Sequence, residues 1–300
     1  MFQSRRQIMA EPSQQELIVE GQNDKLTIAA RLKQGGHTVS TLLLAGAMMF
    51  PLSAPIEAQA TGSISPGSRL DEIRARGTLR VGMPGDYPPF GLRDKATGLW
   101  KGLDVDEAVM MAKALSVKLE IVQTSWSALT SDLFAGKFDV GAGGVSITPE
   151  RQKVAFFSTA ILDDGKTPIT RCENTAKFST LADIDKPGVR VITPPGGTNE
   201  GFDRTHLHVA SIIVFPDNTR IFDEVIAGRA DLMITDAIET KLQHRIHPEL
   251  CSVHPDHPFT FAQKAYLLPR DSDWKQWVDK FLPAQMKTGS FNEAIRHSLK

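Results

Sequence analysis

Short apolar runs alternate with segments of helical period from Leu70 onward, and this alternation limits the possible folds more than any other feature. Leu70–Arg74 reads as a short helix ending at Gly77, and Thr78–Met83 as the first strand. On the next helix Val105, Ala108, Val109, Ala112 and Leu115 share one face. Lys118–Val122 and Phe138–Val140 read as strands around a helix from Trp126 to Phe134 that Gly136 stops. Thr148 and Pro149 open a further helix, with Thr at the cap and Pro at the first position, and Ala155–Ser158 returns as a strand. A polar break over Asp163–Pro168 follows, after which Val189–Ile192, Ile212–Val214 and Leu232–Ile234 repeat the pattern with helices between them. A second break, His254–Phe259, precedes a strand over Gln263–Leu268 and helices near 272–282 and 287–299.

Alternation of this kind predicts an α/β fold with two largely parallel or mixed sheets. Two breaks imply that the chain crosses twice between two lobes, leaving a central cleft with two hinge crossings. The division expected is 1–60 as an N-terminal extension with a signal peptide and 61–69 as a Ser/Gly/Pro linker. Residues 70–165 and 259–300 form a discontinuous first lobe, and 166–258 an inserted second lobe. Clefts between lobes are the usual place for a small ligand.

The formal net charge of −1 gives no basis for a nucleic-acid partner or an anionic membrane surface. Thr41–Phe50 is a short apolar run, with Arg31 and Lys33 upstream and a small-x-small pattern at Ala58-Gln59-Ala60. It is too short to span a bilayer comfortably and fits a secretory signal, which predicts a periplasmic protein. The forty or so residues before it are unusual for a signal and leave an uncleaved anchor as the alternative. The two cysteines, Cys172 and Cys251, lack metal-site or Cys-x-x-Cys spacing. In an exported protein they can form one disulfide closing a loop of about eighty residues, and two buried thiols are the other reading.

Several residues stand where strands end. Asp236 and Glu239 follow the apolar run Leu232–Ile234 and lie three apart, which a helix start places on one side. The same spacing is that of a capping box, in which both groups would serve backbone N–H donors. Arg151, in the first turn of its helix beneath the loop carrying Gly144 and Ser146, is a candidate carboxylate receptor together with free backbone N–H groups. Gly197 and Thr198 open another helix, where glycine permits close approach of an anion. Lys166 lies in the first crossing, and Tyr87, Phe90 and Trp126 each follow a strand and can line a pocket or simply fill the core. The histidine pairs lack a recognised ligand spacing, and no phosphate loop, nucleophile elbow or dinucleotide fingerprint is present.

Longer stretches carry a resemblance. Gly85–Phe90, Gly102–Asp106, Trp126, Ile147–Arg151 and Thr235–Ala237 make the chain from about Leu79 to Leu299 resemble the type II periplasmic solute-binding proteins for amino acids. Asp164–Thr170, Pro195–Glu200, Thr235–Glu239, His247–Cys251 and Lys264–Arg270 are similar to the periplasmic cyclohexadienyl dehydratases within that superfamily. The resemblance implies conversion of prephenate to phenylpyruvate, and of arogenate to phenylalanine, by joint loss of water and carbon dioxide, with no cofactor or metal. It further implies that Arg151, assisted by Ser146 and Thr198, holds one substrate carboxylate and Lys166 the second. Glu239 matches the general acid, and Asp236 the acid that grips an α-amino group in the binding proteins. Pro194 departs from the polar Asn expected of the dehydratases. A general acid must be protonated near neutral pH, which desolvation or a neighbouring carboxylate such as Asp236 would achieve. A non-catalytic amino-acid-binding protein of a transporter is the competing reading, and it would need only Arg151 and Asp236.

Overall fold

The strand Leu232–Asp236 is buried at every position, as its unbroken apolar run requires of a strand covered on both faces. Its side chains divide with the period of two that a pleated backbone imposes: Leu232 and Ile234 enter one apolar cluster, Met233 the other. This computed structural model describes residues 67–287 together with Glu293 and Ile295. The expected signal, the linker to Pro66 and most of the helix expected near 287–299 lie outside the described residues.

Two five-stranded sheets carry the fold. The first runs, in spatial order, Lys118–Gln123, Thr78–Met83, Val140–Gly141, Leu267–Leu268, Phe156–Phe157. The second runs Ser211–Val214, Arg190–Thr193, Leu232–Asp236, Lys166–Arg171, Leu250–Ser252. Both are mixed: three neighbouring strands pair parallel in each, and the strand that follows a crossing pairs antiparallel with the third of them and with the fifth strand. Each parallel half is bracketed in the same way. Asp139 donates its N–H to the Arg80 carbonyl and accepts from the Arg80 N–H, and Asp231 does the same with Arg190. The guanidinium of each arginine then closes an ion pair on the same aspartate.

Helix Leu103–Leu115 packs Val105, Ala108, Met111, Ala112 and Leu115 into the first core cluster, whereas Val109, expected on the same face, is only half-buried and Met111 takes its place. Helix Arg69–Arg76 ends at Gly77, whose left-handed φ of 68° accepts a C-cap geometry that a side chain would disfavour. The N-cap at Thr148 forms as its sequence requires, the side chain accepting from the Arg151 N–H.

The polar break at Asp163–Pro168 is not a loop. Leu162–Asp164 and Lys166–Arg171 are strands, and further unanticipated strands lie at Leu250–Ser252 and, in a small antiparallel sheet, at Asp86–Tyr87, Gly91–Arg93 and Trp100–Lys101. Pro168, which argues against an inner strand, sits between two strands, and its carbonyl accepts from the Val253 N–H at 2.9 Å. The strand expected over Gln263–Leu268 is two strands. Ala262–Lys264 pairs antiparallel with Leu162–Asp164, so the two crossings between the sheets are hydrogen-bonded to one another. Leu267–Leu268 joins the first sheet.

Cys172 and Cys251 form a disulfide across 79 residues. Strand pairing already brings them together, because Leu250–Ser252 lies beside Lys166–Arg171 with Cys251 opposite Thr170. The bond therefore locks an outer strand of the second sheet and restricts the unfolded chain. Replacing both cysteines by serine is expected to lower unfolding free energy by roughly 4 kcal/mol on the loop-entropy model. Urea unfolding of the double variant against the oxidised protein measures it.

Candidate active site

Asp236 is the last residue of its strand, and antiparallel pairing sets it opposite Lys166, the first residue of the neighbouring strand. Register thus delivers the pair before any side-chain choice is made. Lys166 Nζ lies 2.7 Å from Asp236 Oδ1. On Oδ2, Tyr87 donates its hydroxyl at 2.7 Å and Lys264 makes a close ion pair. Lys264 comes from the second crossing and Tyr87 from the short strand Asp86–Tyr87 that follows the first strand of the first sheet, so one carboxylate gathers a strand of the second sheet, a crossing and the segment beyond the first sheet. Asp236, Lys166 and Lys264 are 3%, 6% and 1% exposed, so these contacts are made with little solvent screening.

The remaining donors find partners nearby. Lys166 Nζ also donates to Thr198 Oγ1 at 3.0 Å and, closely, to Asn199 Oδ1. Lys264 Nζ donates to Ser146 Oγ at 3.0 Å and stands over the Tyr87 ring, 5.1 Å from its centroid. Burial alone would push the Asp236 carboxyl up, but Lys166 and Lys264 outweigh it and hold the group well below the usual carboxylate range. Burial and the Asp236 charge push the Tyr87 hydroxyl well above its ordinary value, so Tyr87 stays a donor.

A cavity of about 350 Å³, including the part open to solvent, lies against this network. Tyr87, Trp126, Gly144, Ser146, Arg151, Gly197, Thr198 and Asp236 all line it, so eight of the residues singled out from sequence converge on one cavity. Tyr87 stacks on Phe90 and meets Trp126 edge-on, and Trp126 Nε1 donates to Asp86 at 2.9 Å, which fixes the aromatic side of the cavity. Arg151 Nη1 donates to the Ser146 carbonyl at 3.0 Å and, among the described residues, has no carboxylate ion-pair partner. Burial lowers its pKa somewhat, against the pull of Asp236.

Three expectations change. The N–H groups of Gly143 and Gly144 are not free to receive a carboxylate, because both donate to the buried Asp104 carboxylate at 2.6 and 2.8 Å. Gly144 serves the site by its shape: φ is +80°, and a Cβ there would stand 2.5 Å from the Phe90 ring and 2.6 Å from that of Tyr87. The capping box at Asp236 and Glu239 does not form, since Asp236 makes no side-chain cap bond and Glu239 is bonded to Thr235. Lys166 and Glu239 do not line the cavity; they stand immediately behind Asp236, Thr198 and Asn199.

Glu239 is 1% exposed and accepts from Thr235 Oγ1 at 2.5 Å, while Thr235 Oγ1 accepts from Asn199 Nδ2 at 2.9 Å. Burial pushes its pKa to about 8; the Thr235 hydroxyl opposes this and the Asp236 charge adds to it. Near neutral pH it is therefore a carboxylic acid one hydrogen-bonded residue removed from the cavity-lining Asn199.

Sequence reasoning missed Lys264 and Asn199. A lysine inside the otherwise apolar Ala265–Leu268 neighbourhood was the available signal, because an isolated lysine on a buried strand needs an acid partner. Pro194 lines the cavity and offers no N–H there. Cys172, Cys251 and His244 bring potential metal-ligand atoms within 4.8 Å of one another, but the disulfide leaves no thiolate for a metal.

Comparison with known proteins agrees with this geometry. Residues 79–299 match the family described as bacterial extracellular solute-binding proteins, family 3. Cyclohexadienyl dehydratase of Pseudomonas aeruginosa is 51% identical over 233 residues, 78% of this chain and 87% of that protein. Among solved structures, an ancestral amino acid-binding protein described as a precursor of cyclohexadienyl dehydratase aligns with a TM-score of 0.71 and 35% identity, over 78% of this chain and 100% of that one. An ancestral cyclohexadienyl dehydratase aligns with a TM-score of 0.50 and 48% identity, over 78% of this chain and 97% of that one. The chain belongs to the family 3 bacterial extracellular solute-binding proteins and, within them, to the cyclohexadienyl dehydratases.

Proposed function

We propose that the cavity beside Asp236 converts prephenate to phenylpyruvate, and arogenate to phenylalanine, by decarboxylative loss of water. The observation that carries this reading is a charge balance. Arg151 and Lys264 line the cavity, Lys166 stands directly behind its wall, and Asp236 is the carboxylate ion-paired to both lysines. With Glu239 protonated, the site holds a surplus of positive charge suited to a dicarboxylate.

In the reaction, the bond from the ring to its carboxylate breaks and releases carbon dioxide. The electron pair enters the ring, and the ring C–O bond breaks as the leaving oxygen takes a proton to become water. Prephenate dianion plus one proton thus yields phenylpyruvate anion, carbon dioxide and water. Aromatisation supplies the driving force, so the protein must orient the dianion and deliver the proton. Arg151, without a carboxylate partner of its own, is suited to the carboxylate that stays. Lys166 already shares its ammonium among Asp236, Thr198 and Asn199, so it orients the departing carboxylate without gripping it so tightly that the ground state is favoured.

Glu239 is the proton donor in this reading, and Asn199 and Thr235 stand between it and the cavity. Donation therefore requires these side chains to shift when substrate draws Lys166 forward, since catalytic contacts commonly tighten only in the complex. The extracellular character of the family and the apolar run at Thr41–Phe50 favour export to the periplasm through a cleaved signal.

Purified protein is expected to consume prephenate, with phenylpyruvate followed by its absorbance. Absence of turnover, together with tight binding of an amino acid, would instead favour the non-catalytic binder that the precursor-like fold allows. Glu239→Gln is expected to lower kcat by about 10²- to 10⁴-fold, the range for a general acid, while substrate still binds. Full activity in that variant refutes the assignment.

The pH dependence has a definite sign. The acid form of Glu239 is the active one, and its pKa is raised to about 8, so kcat/KM is expected to stay level through neutral pH and fall above about pH 8. A profile that instead rises through that range is incompatible with Glu239 as donor.

A further inference from the structure

We propose that Asp104, which does not line the cavity, is a positioning residue whose ionised carboxylate clamps together two segments of the cavity wall, so that the site keeps its shape only while that charge is present. The inference rests on the dehydratase reading only for its consequence for turnover; the clamp itself follows from the geometry.

Asp104 stands in the first turn of helix Leu103–Leu115 and is 1% exposed. Its Oδ2 accepts from the successive N–H groups of Gly143 and Gly144, at 2.6 and 2.8 Å. Both glycines have positive φ, +100° and +80°, a backbone conformation that side chains disfavour. Successive N–H groups in a turn can cradle an anion, and here the anion is the protein's own. Oδ1 accepts the Tyr266 hydroxyl at 3.0 Å.

Each arm of the clamp reaches a group that faces the cavity. Beside Gly144, the Ser146 carbonyl accepts from Arg151 Nη1 and Ser146 Oγ from Lys264 Nζ, both at 3.0 Å. Tyr266 lies two residues after Lys264, and the Ala265 N–H between them donates to the Val145 carbonyl at 2.9 Å. Asp104 therefore acts through the glycine turn and Tyr266 on two cations of the site, Arg151 and Lys264. Hydrogen bonds to a charged acceptor are roughly twice as strong as those to a neutral one, so proton uptake by Asp104 loosens the turn.

The groups around Asp104 are of mixed sign. From the crossing, Lys264 favours the ionised carboxylate, while burial and the Asp104 charge push the Tyr266 hydroxyl well above its ordinary value and keep it a donor. From the same helix, Glu107 lies one turn on, 2% exposed, with one oxygen lacking a hydrogen-bond partner among the described residues. Burial, with the charges of Asp104 and Asp106, pushes Glu107 to about 7. The glycine turn contributes backbone N–H groups. Burial outweighs these donors and Lys264 and pushes Asp104 up to about 6. The ionised form is the working one, so kcat/KM falls as pH drops through about 6, on the opposite side of neutrality from the Glu239 limb.

The test measures kcat/KM for prephenate against pH in the wild-type protein, Asp104→Asn and Glu107→Gln, with amide hydrogen exchange at Gly143 and Gly144 in the wild-type protein. Wild-type kcat/KM is expected to fall at least about fivefold between about pH 7 and about pH 5. Asp104→Asn keeps the shape and an acceptor oxygen but no charge. It is expected to raise KM at least about tenfold near pH 7, to change kcat less than about threefold, and to flatten the acid limb. Glu107→Gln is expected to retain that limb. Protection of the two glycine N–H groups, corrected for intrinsic exchange rates, is expected to fall with a midpoint near that of the limb. An acid limb that persists in Asp104→Asn, or that is lost in Glu107→Gln instead, overturns the proposal. So does glycine protection that stays level across that range, a result read on the wild-type protein and valid even if neither variant folds. Failure to consume prephenate refutes the dehydratase reading instead, and the exchange measurement still decides the clamp.

Discussion

The structure depends on one buried carboxylate with too many positive neighbours. Asp236 receives Lys166 from the adjacent strand, Lys264 from a crossing and Tyr87 from the short strand that follows the first strand of the first sheet. Removing such charges from water costs several kcal/mol for each ion, and their mutual attraction offsets this only where geometry and remaining hydrogen bonds are complete. Here they are nearly so: Thr198 and Asn199 complete Lys166, and Ser146 with the Tyr87 ring completes Lys264. A network of this kind is weak support for stability.

Burial pushes the neighbouring acids up, and the Asp236 charge adds to this for Glu239 and Asp164. Asp236 absorbs both lysines and remains ionised, and that charge, with burial, helps push Glu239 to about 8. Asp164, also buried beside Asp236, is pushed up in the same direction. Asp203, buried behind Thr198 on the same helix, reaches about 8 by burial, only partly offset by Lys166. An ionised Asp236 paired to two lysines, beside Glu239 and Asp203 that keep their protons near neutral pH, is how a cluster rich in carboxyl groups still presents positive potential to a ligand. It is also how two carboxyl groups three residues apart come to differ: Asp236 is a fixed anion, and Glu239 keeps a proton available near neutral pH.

How far the sequence carried this can be judged residue by residue. Thr148-Pro149 at a helix start, Gly77 at a helix end and the apolar face of Leu103–Leu115 depend on local steric and hydrogen-bonding rules, and each appears where those rules put it. Lys166–Arg171 was hidden because its sequence is polar and contains Pro168; only the flanking strands at Leu232–Asp236 and Leu250–Ser252 make it a strand. Gly144 drew attention as a source of backbone N–H groups, whereas its N–H is spent on Asp104, 40 residues earlier in the chain. No local rule could have anticipated that partner.

The sequence by itself determined the alternation of strands and helices, the second crossing's return to the first sheet, and which strand ends carry chemically capable side chains. These follow from periodicity and from the residue types that begin and end elements, which are properties of a few neighbouring positions. Only the tertiary structure decided that Asp236 and Glu239 form no helix cap, that Lys264 completes the site, and that Glu239 stands behind the cavity wall rather than on it. The reason is physical: a side chain's charge state and partners are set by burial and by groups brought near through strand register and crossings. For Asp236, its lysine partners lie 70 and 28 positions away along the chain.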